Sequence, residues 1–210
     1  MSNGRAGEPG FFAGVRSVTL AVMDGPVRCA WVGDDPIYVA YHDDEWGVPS
    51  LDDGYLFEML LLEGAQAGLN WRLILGKREG YRRAYDGFDP VRIAAWDDER
   101  IESLAHDPGI VRNRLKIRAA RTNARAALAV IDERGGLAPF FWDFVDGTPV
   151  VNRWRSVDEM PASSPLSDRV SRELKRRGFK FAGSVICYSF LQAIGIIDDH
   201  TRDCFRGRLP

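Results

Sequence analysis

Apolar positions recur at helical spacing along most of the chain. Leu56, Met59 and Leu60 fall at i, i+3 and i+4, and Asp52 and Asp53 stand ahead of them as capping acids. The pattern predicts a helix from there to about Ala67, with Gly68 as its C-terminal stop. Asn70 is placed to cap a second helix through WRLILGKREGYRRAY, Asp89-Pro90 to open a third over VRIAAW, and Asp97 to cap a fourth over DERIESLAH. The DPGI turn at 107–110 then leads into a long helix that ends near Arg134, before Gly135-Gly136. Two further helices are expected at about 166–177, stopped by Gly178, and about 183–194, stopped by Gly195. Strand-like alternation is scarce and no segment repeats. The expected fold class is all-α.

One position interrupts the first helix. The residue seven beyond Leu56, on the face of the apolar stripe, is Glu63. A Gly-Leu-Asn-Trp break follows, ending in Trp71, and CAWVGDDPIYVAYHDDEWG supplies Trp31, Tyr38, Tyr41 and Trp46. Flat rings with one carboxylate suit a planar, electron-poor heterocycle, which stacks on the rings and donates N–H groups to the acid. The residues equally allow a plain core in which Glu63 pairs with an arginine.

Composition narrows the field. The 210 residues allow one domain or two small packed ones, and 45% hydrophobic with 28% charged residues is ordinary for a globular protein. A net charge of −2 gives no general attraction to nucleic acid, so any such contact needs a local patch. No apolar run nears the roughly 18 residues of a membrane span. Three widely spaced cysteines make no disulfide framework, and no secretory signal is evident, so a reducing cytoplasm is expected. Residues 1–27 are rich in glycine and small polar residues and are expected to form a loosely ordered N-terminal extension, with Met23 an alternative start.

Two other sets of residues can carry chemistry. Of three cysteines and three histidines, four form two short pairs, Cys29 with His42 and His200 with Cys204, near opposite ends of the ordered chain. A Cys₂His₂ set matches tetrahedral structural zinc, although neither spacing is that of a standard finger. Cys187, in an apolar segment, reads as a buried small hydrophobe, and His106 as a helix-end residue. The second set is the hairpin LAHDPGIVRNRLKIRAARTNARAA. Its turn, at Gly109, precedes a helix N-terminus that can offer backbone N–H groups to a phosphate. Arg114, Arg118, Arg121 and Arg125 share one helix face, with Leu115, Ala119, Thr122, Ala126 and Ala129 on an adjacent, less polar one. A solvated amphipathic helix gives the same pattern.

The segments RCAWVGDDPIYVAYHDDEWGVP, LFEMLLLEGAQAGLNW, FDPVRIAAW, DPGIVRNRLKI and RGFKFAGSVICYSFLQAIGIIDDH together resemble the Tag-type 3-methyladenine DNA glycosylases of the helix-hairpin-helix superfamily. They extend from Arg28 to His200, four residues short of Cys204. The resemblance implies a helix-hairpin-helix glycosylase domain over 28–210, of two intimately packed helical lobes, that removes N3-methyladenine from alkylated double-stranded DNA. It implies Cys29, His42, His200 and Cys204 as ligands of a structural Zn²⁺ joining the N- and C-terminal segments. Glu63 matches the acid that reads the base, Tyr41, Trp46, Trp31 and Tyr38 pocket residues, and Trp71 the stacking tryptophan. Leu69, beside Gly68, corresponds to the side chain inserted where the flipped nucleotide leaves the stack, and Gly109, Arg112 and Arg114 belong to the DNA-facing hairpin. The segment RNRLKIRAARTNARAA lacks the aspartate that other superfamily members place beyond their hairpin, so cleavage of the base alone, without strand scission, is expected of a monomer. The chain departs from the family in its 27-residue extension and in Asn70, where serine is expected.

Overall fold

The computed structural model describes residue 1 and residues 25–208. The expected extension, including Met23, lies almost wholly outside the described residues. The described chain is mostly helical, with ten α-helices: α1 (Pro36–Asp44), α2 (Asp53–Gln66), α3 (Trp71–Gly76), α4 (Arg78–Ala84), α5 (Pro90–Ala94), α6 (Asp98–Leu104), α7 (Arg114–Arg134), α8 (Leu137–Trp142), α9 (Pro165–Arg176) and α10 (Ser184–Ala193). No helix among these residues is long and apolar enough to cross a membrane.

The caps follow from the sequence. Asp52, Asn70, Asp89, Asp97 and Asn113 each accept a backbone N–H from the first turn they precede. Ser164 and Ser167 close a reciprocal capping box ahead of α9. α1 begins in the same way, with Asp35 accepting from the Ile37 N–H and Pro36 at the first helical position. The sequence reading assigned no helix there, and none to α8, whose N-terminal N–H groups are met by the Asp53 carboxylate at 2.9 and 2.7 Å.

Three expectations are corrected. The helix expected through 71–85 breaks at Lys77 (φ −103°, ψ 2°) into α3 and α4. α2 carries no simple stripe: every residue from Leu56 to Ala65 is buried, as in a helix enclosed on all sides. On α7 the buried face is Ile117, Ala120, Ala124, Ala127 and Val130, while Leu115 and Ala129 are exposed. Small residues there allow close approach of the neighbouring helices. A two-stranded parallel ladder, β1 (Val150–Val151) with β2 (Ile197–Asp198), is an element the alternation pattern is too short to signal.

Three of the four arginines on that face of α7, Arg114, Arg121 and Arg125, are held by the protein itself. Arg125 donates to the Ala94 carbonyl at 3.0 Å, Arg121 to the Trp96 carbonyl and the Asp98 carboxylate at 2.9 Å each, and Arg114 forms a two-pronged pair with Glu102. They cap the end of α5 and bind α6 rather than forming a free cationic stripe. Arg112 and Arg118 are exposed and have no carboxylate partner among the described residues.

Candidate active site

α2 carries two buried acids, and they differ in company. Glu58 pairs with Arg78 at 2.7 Å and with Arg82 at 3.0 Å. Glu63, 4% exposed, has no cationic partner among the described residues. The arginine-paired core that the sequence equally allowed is therefore absent at Glu63. Burial alone pushes its carboxyl from the usual range up to about 8. An unpaired acid this deep is disfavoured unless something else meets it.

What Glu63 borders is a cavity of about 240 Å³ lined by Trp31, Tyr38, Tyr41, Trp46 and Trp71, with Gln66, Met160, Ser189 and Gln192 completing the wall. Its volume is below the roughly 300–1,000 Å³ of drug-sized pockets and suits a single heterocycle. All six residues expected at the pocket are thus brought together. Trp31 lies edge-on to Tyr38 and Trp46, with centroids 5.5 and 5.1 Å apart, and Tyr41 meets Trp71 at 5.6 Å. Burial, with the neighbouring Glu63 charge adding to it, holds the Tyr41 hydroxyl neutral and able to donate. The indole N–H groups of Trp31 and Trp71 are buried without a partner among the described residues.

Gln66, Met160, Ser189 and Gln192 were not foreseen. Gln192 and Ser189 sit on α10, whose sequence SVICYSFLQA is apolar enough for a lone glutamine to carry the same signal as Glu63. Met160 reaches the wall from a non-helical segment and leaves no such signal.

Behind the aromatic wall, Cys29, His42, His200 and Cys204 are all buried, with ligand atoms within 4.8 Å of one another. Cys204 Sγ lies 3.4 Å from His42 Nε2 and 3.6 Å from His200 Nδ1, and Cys29 Sγ lies 3.7 Å from His200 Nδ1. Bonds of about 2.3 Å to sulfur and 2.0–2.1 Å to nitrogen around a tetrahedral ion place neighbouring ligands at about these separations. The far nitrogens are also engaged: His42 Nδ1 meets Asp43 at 2.8 Å and His200 Nε2 meets the Trp46 carbonyl at 3.0 Å. Such outer contacts orient ligand imidazoles. Arg28 in turn holds Asp43, keeping its carboxyl below the usual range. The four residues can hold one metal ion. Cys187 is buried away from this set, and His106 is exposed at the end of α6 beside Glu102, as the sequence suggests.

At the cavity's outer side, α2 ends in an exposed turn of Gly68 (φ +73°) and Leu69, which is 37% exposed. Gln66 Nε2 closes the turn on the Leu69 carbonyl at 2.7 Å. The hairpin lies next to it, since Lys116 in the first turn of α7 donates to the carbonyls of Ala65 and Ala67, each at 2.7 Å. The hairpin turn is itself clamped by α4. A Cβ on Gly80 would fall 2.2 Å from the Gly109 carbonyl oxygen, so only glycine permits this approach. Lys77 donates to the Pro108 carbonyl, and the Tyr81 hydroxyl accepts from the Val111 N–H. Gly109's own N–H is taken by Asp107 at 2.6 Å, and Asn113 takes those of Leu115 and Lys116. Gly109 thus serves close packing of the turn, while the exposed Arg112 side chain projects beside it.

A mostly helical protein with an acid-bearing aromatic cavity beside an exposed turn and a hairpin is the arrangement that the comparisons with known proteins meet. The sequence model described as methyladenine glycosylase matches residues 31–207, and the chain belongs to that family. It is 50% identical over 177 residues to DNA-3-methyladenine glycosylase 1 of Escherichia coli, covering 84% of this chain and 95% of that protein. The DNA-3-methyladenine glycosylase of Haemophilus influenzae is 43% identical, with 84% and 96% covered. Among solved structures, a crystal structure of 3-methyladenine DNA glycosylase I superposes with a TM-score of 0.83 at 52% identity, covering 85% of this chain and 98% of its own. The enzyme of Staphylococcus aureus, described in terms of 3-methyladenine recognition, gives 0.84 at 35% identity, covering 87% and 97%.

Proposed function

We propose that the protein is a DNA repair glycosylase that hydrolyses the N-glycosidic bond of N3-methyladenine in alkylated double-stranded DNA and leaves an abasic site. The observation that carries the reading is Glu63, a buried carboxylate with no cationic partner among the described residues, facing an aromatic cavity the size of one base. Methylation at N3 gives adenine a fixed positive charge, and that charge is the partner the acid lacks.

The extruded nucleotide would place its base among Trp31, Tyr38, Tyr41, Trp46 and Trp71, with the unpartnered indole N–H groups able to meet ring nitrogens. Glu63 accepts N–H bonds from the cationic base and, as the bond lengthens, stabilises the oxocarbenium character of the sugar. The C1′–N9 electron pair leaves with the base, which departs neutral. Water adds to C1′ and releases its proton. No lysine lines the cavity among the described residues, which favours hydrolysis over amine attack and strand cleavage. Leu69 fills the vacated step in the stack, and Arg112 and Arg114 meet the backbone.

Cys29, His42, His200 and Cys204 would hold a structural Zn²⁺, whose chemistry is to fix these four side chains and so the two ends of the domain. The reading takes residues 28–210 as one glycosylase domain of two packed helical lobes, acting as a monomer in the cytoplasm.

Duplex DNA methylated at purines, incubated with the protein and chromatographed for released bases, provides the test. Release of 3-methyladenine without strand nicking is expected. Salt-dependent DNA binding with no base released would mean a binding module instead, and a borohydride-trappable adduct would overturn the hydrolytic mechanism.

A further inference from the structure

One buried acid behind the cavity does nothing in that mechanism. Asp199 is 0% exposed and receives four hydrogen bonds. Asn152 Nδ2 and Trp154 Nε1 donate to one oxygen at 2.7 and 2.8 Å, while the Tyr188 hydroxyl and Gln192 Nε2 donate to the other at 2.6 and 2.7 Å. These come from the segment after β1 and from α10, so the carboxylate gathers both elements. A carboxylate has about four lone-pair sites, and all are filled.

The arrangement decides a detail that an amide side chain ordinarily leaves open. All four contacts bring donors to the Asp199 oxygens, so Gln192 presents its NH₂ rather than its amide oxygen to that carboxyl. Gln192 also lines the cavity, and its amide oxygen takes no hydrogen bond from any described residue, which leaves it free to face the cavity. Its main chain is fixed as well, the Gln192 carbonyl accepting from the Gly47 N–H at 2.9 Å, directly after Trp46. The cavity wall thus offers the Glu63 carboxylate and the Gln192 amide oxygen as acceptors, and the second keeps its orientation while Asp199 stands behind it.

We propose that Gln192, held in one amide orientation by Asp199, discriminates alkylated adenine from alkylated guanine. The inference rests on the glycosylase reading. At ring position six adenine carries an amino donor and guanine a carbonyl acceptor. A fixed acceptor pairs with the first and sets two oxygens against each other with the second. Aromatic stacking does not separate the two bases, both cationic on N3-methylation, and Glu63 can accept from an N–H of either, the 6-amino group of adenine or the N1–H and 2-amino group of guanine. The amide oxygen does. Gln192 is a specificity residue, and Asp199 is a positioning residue acting through it.

The test uses duplex DNA carrying both N3-methyladenine and N3-methylguanine and measures kcat/KM for release of each. Gln192→Met, which keeps the length and removes the acceptor, is expected to narrow the adenine-to-guanine ratio by about tenfold. Asp199→Asn, which can face Gln192 with a donor, is expected to narrow it in the same direction. Binding of the two free bases, followed by quenching of the pocket tryptophans, gives the same ratio for any variant too slow to assay. A ratio unchanged in Gln192→Met, with both rates lowered alike, would overturn the assignment and leave Gln192 a packing residue. A wild-type protein that releases neither base contradicts the glycosylase reading itself, which is a different result from an unchanged ratio.

Discussion

The Trp46 indole stands edge-on to the His200 imidazole with ring centroids 4.7 Å apart, and its own carbonyl meets His200 Nε2 at 3.0 Å. The second histidine of the set, His42, lies 6.1 Å from it with the rings stacked. One tryptophan thus forms both the front of the metal-ligand cluster and the back of the cavity. A metal held there would stiffen the surface on which the base is stacked.

Metal analysis of the folded protein is accordingly expected to give one zinc per chain. Stripping it, or Cys204→Ala, should lower the thermal midpoint and the stability by several kcal/mol, since structural zinc sites supply folding free energy directly. The same change should weaken 3-methyladenine binding, read from tryptophan fluorescence at a temperature where the variant stays folded. Unaltered stability after chelation would remove the metal from the account.

Lys116 joins the hairpin helix to the end of α2, capping carbonyls next to the Gly68-Leu69 turn. Burial lowers its ammonium pKa from the ordinary value, yet its two carbonyl bonds favour the charged form. Lys116→Met should destabilise by about 1–2 kcal/mol through the lost caps. It should also weaken binding to an abasic duplex while leaving free 3-methyladenine binding unchanged. Leu69→Ala, at an exposed position, should alter stability by less than about 0.5 kcal/mol and still lose roughly tenfold in base release from duplex DNA.

Arg112 and Arg114 are neighbours in sequence and not in circumstance. Arg114 is already paired with Glu102, whose carboxyl it holds down at about 2, whereas Arg112 has no such partner. Removing a phosphate contact reduces the log–log salt slope of duplex binding by about 0.9. Arg112→Ala is expected to show that full reduction and Arg114→Ala a smaller one. Equal, full reductions would mean that Arg114 leaves Glu102 for a phosphate, and no reduction in either variant would contradict the backbone contacts proposed for both.

Glu63 also makes stability depend on pH in an unusual direction. Its folded carboxyl titrates at about 8, above the ordinary value of 4.5. Below 4.5 the group is neutral in folded and unfolded chains alike, and no penalty arises. As pH rises from 4.5 to about 8 the unfolded chain ionises and the folded one resists, so stability falls and then levels off. Glu63→Gln should therefore stabilise the protein at pH 8 and above by on the order of a few kcal/mol, and by much less at pH 5. Denaturant unfolding at both pH values measures the difference.

The sequence exposed the caps and the odd residues better than the packing. Asp52, Asn70, Asp89 and Asp97 announce their helices because a short polar side chain meets an orphan N–H within two or three residues. Asp35-Pro36 carries the same signal as Asp89-Pro90, but it lies among the aromatic and ligand residues, whose chemistry masks a nine-residue helix. Glu63 was legible as an acid in an apolar helix, and Gln192 offered the same clue on α10. The α7 arginines stay ambiguous in sequence because charge on a helix face does not reveal whether carbonyls and acids of α5 and α6 will meet it. The break at Lys77 was hidden for a related reason: α4 turns there to pack Gly80 on Gly109, a contact between residues 29 positions apart.

The central claim is that ionised Glu63 is the counterpart of a cationic base, and the pH dependence of kcat/KM for 3-methyladenine release addresses it most directly. That parameter reports the free enzyme. It should rise about tenfold per pH unit up to a plateau near pH 8, with the midpoint for kcat lower because the bound cation favours the carboxylate. In Glu63→Gln the rate should be reduced and the profile flat across that range. A wild-type profile that is flat or falling between pH 6 and 9, or one that Glu63→Gln leaves in place, would contradict the account.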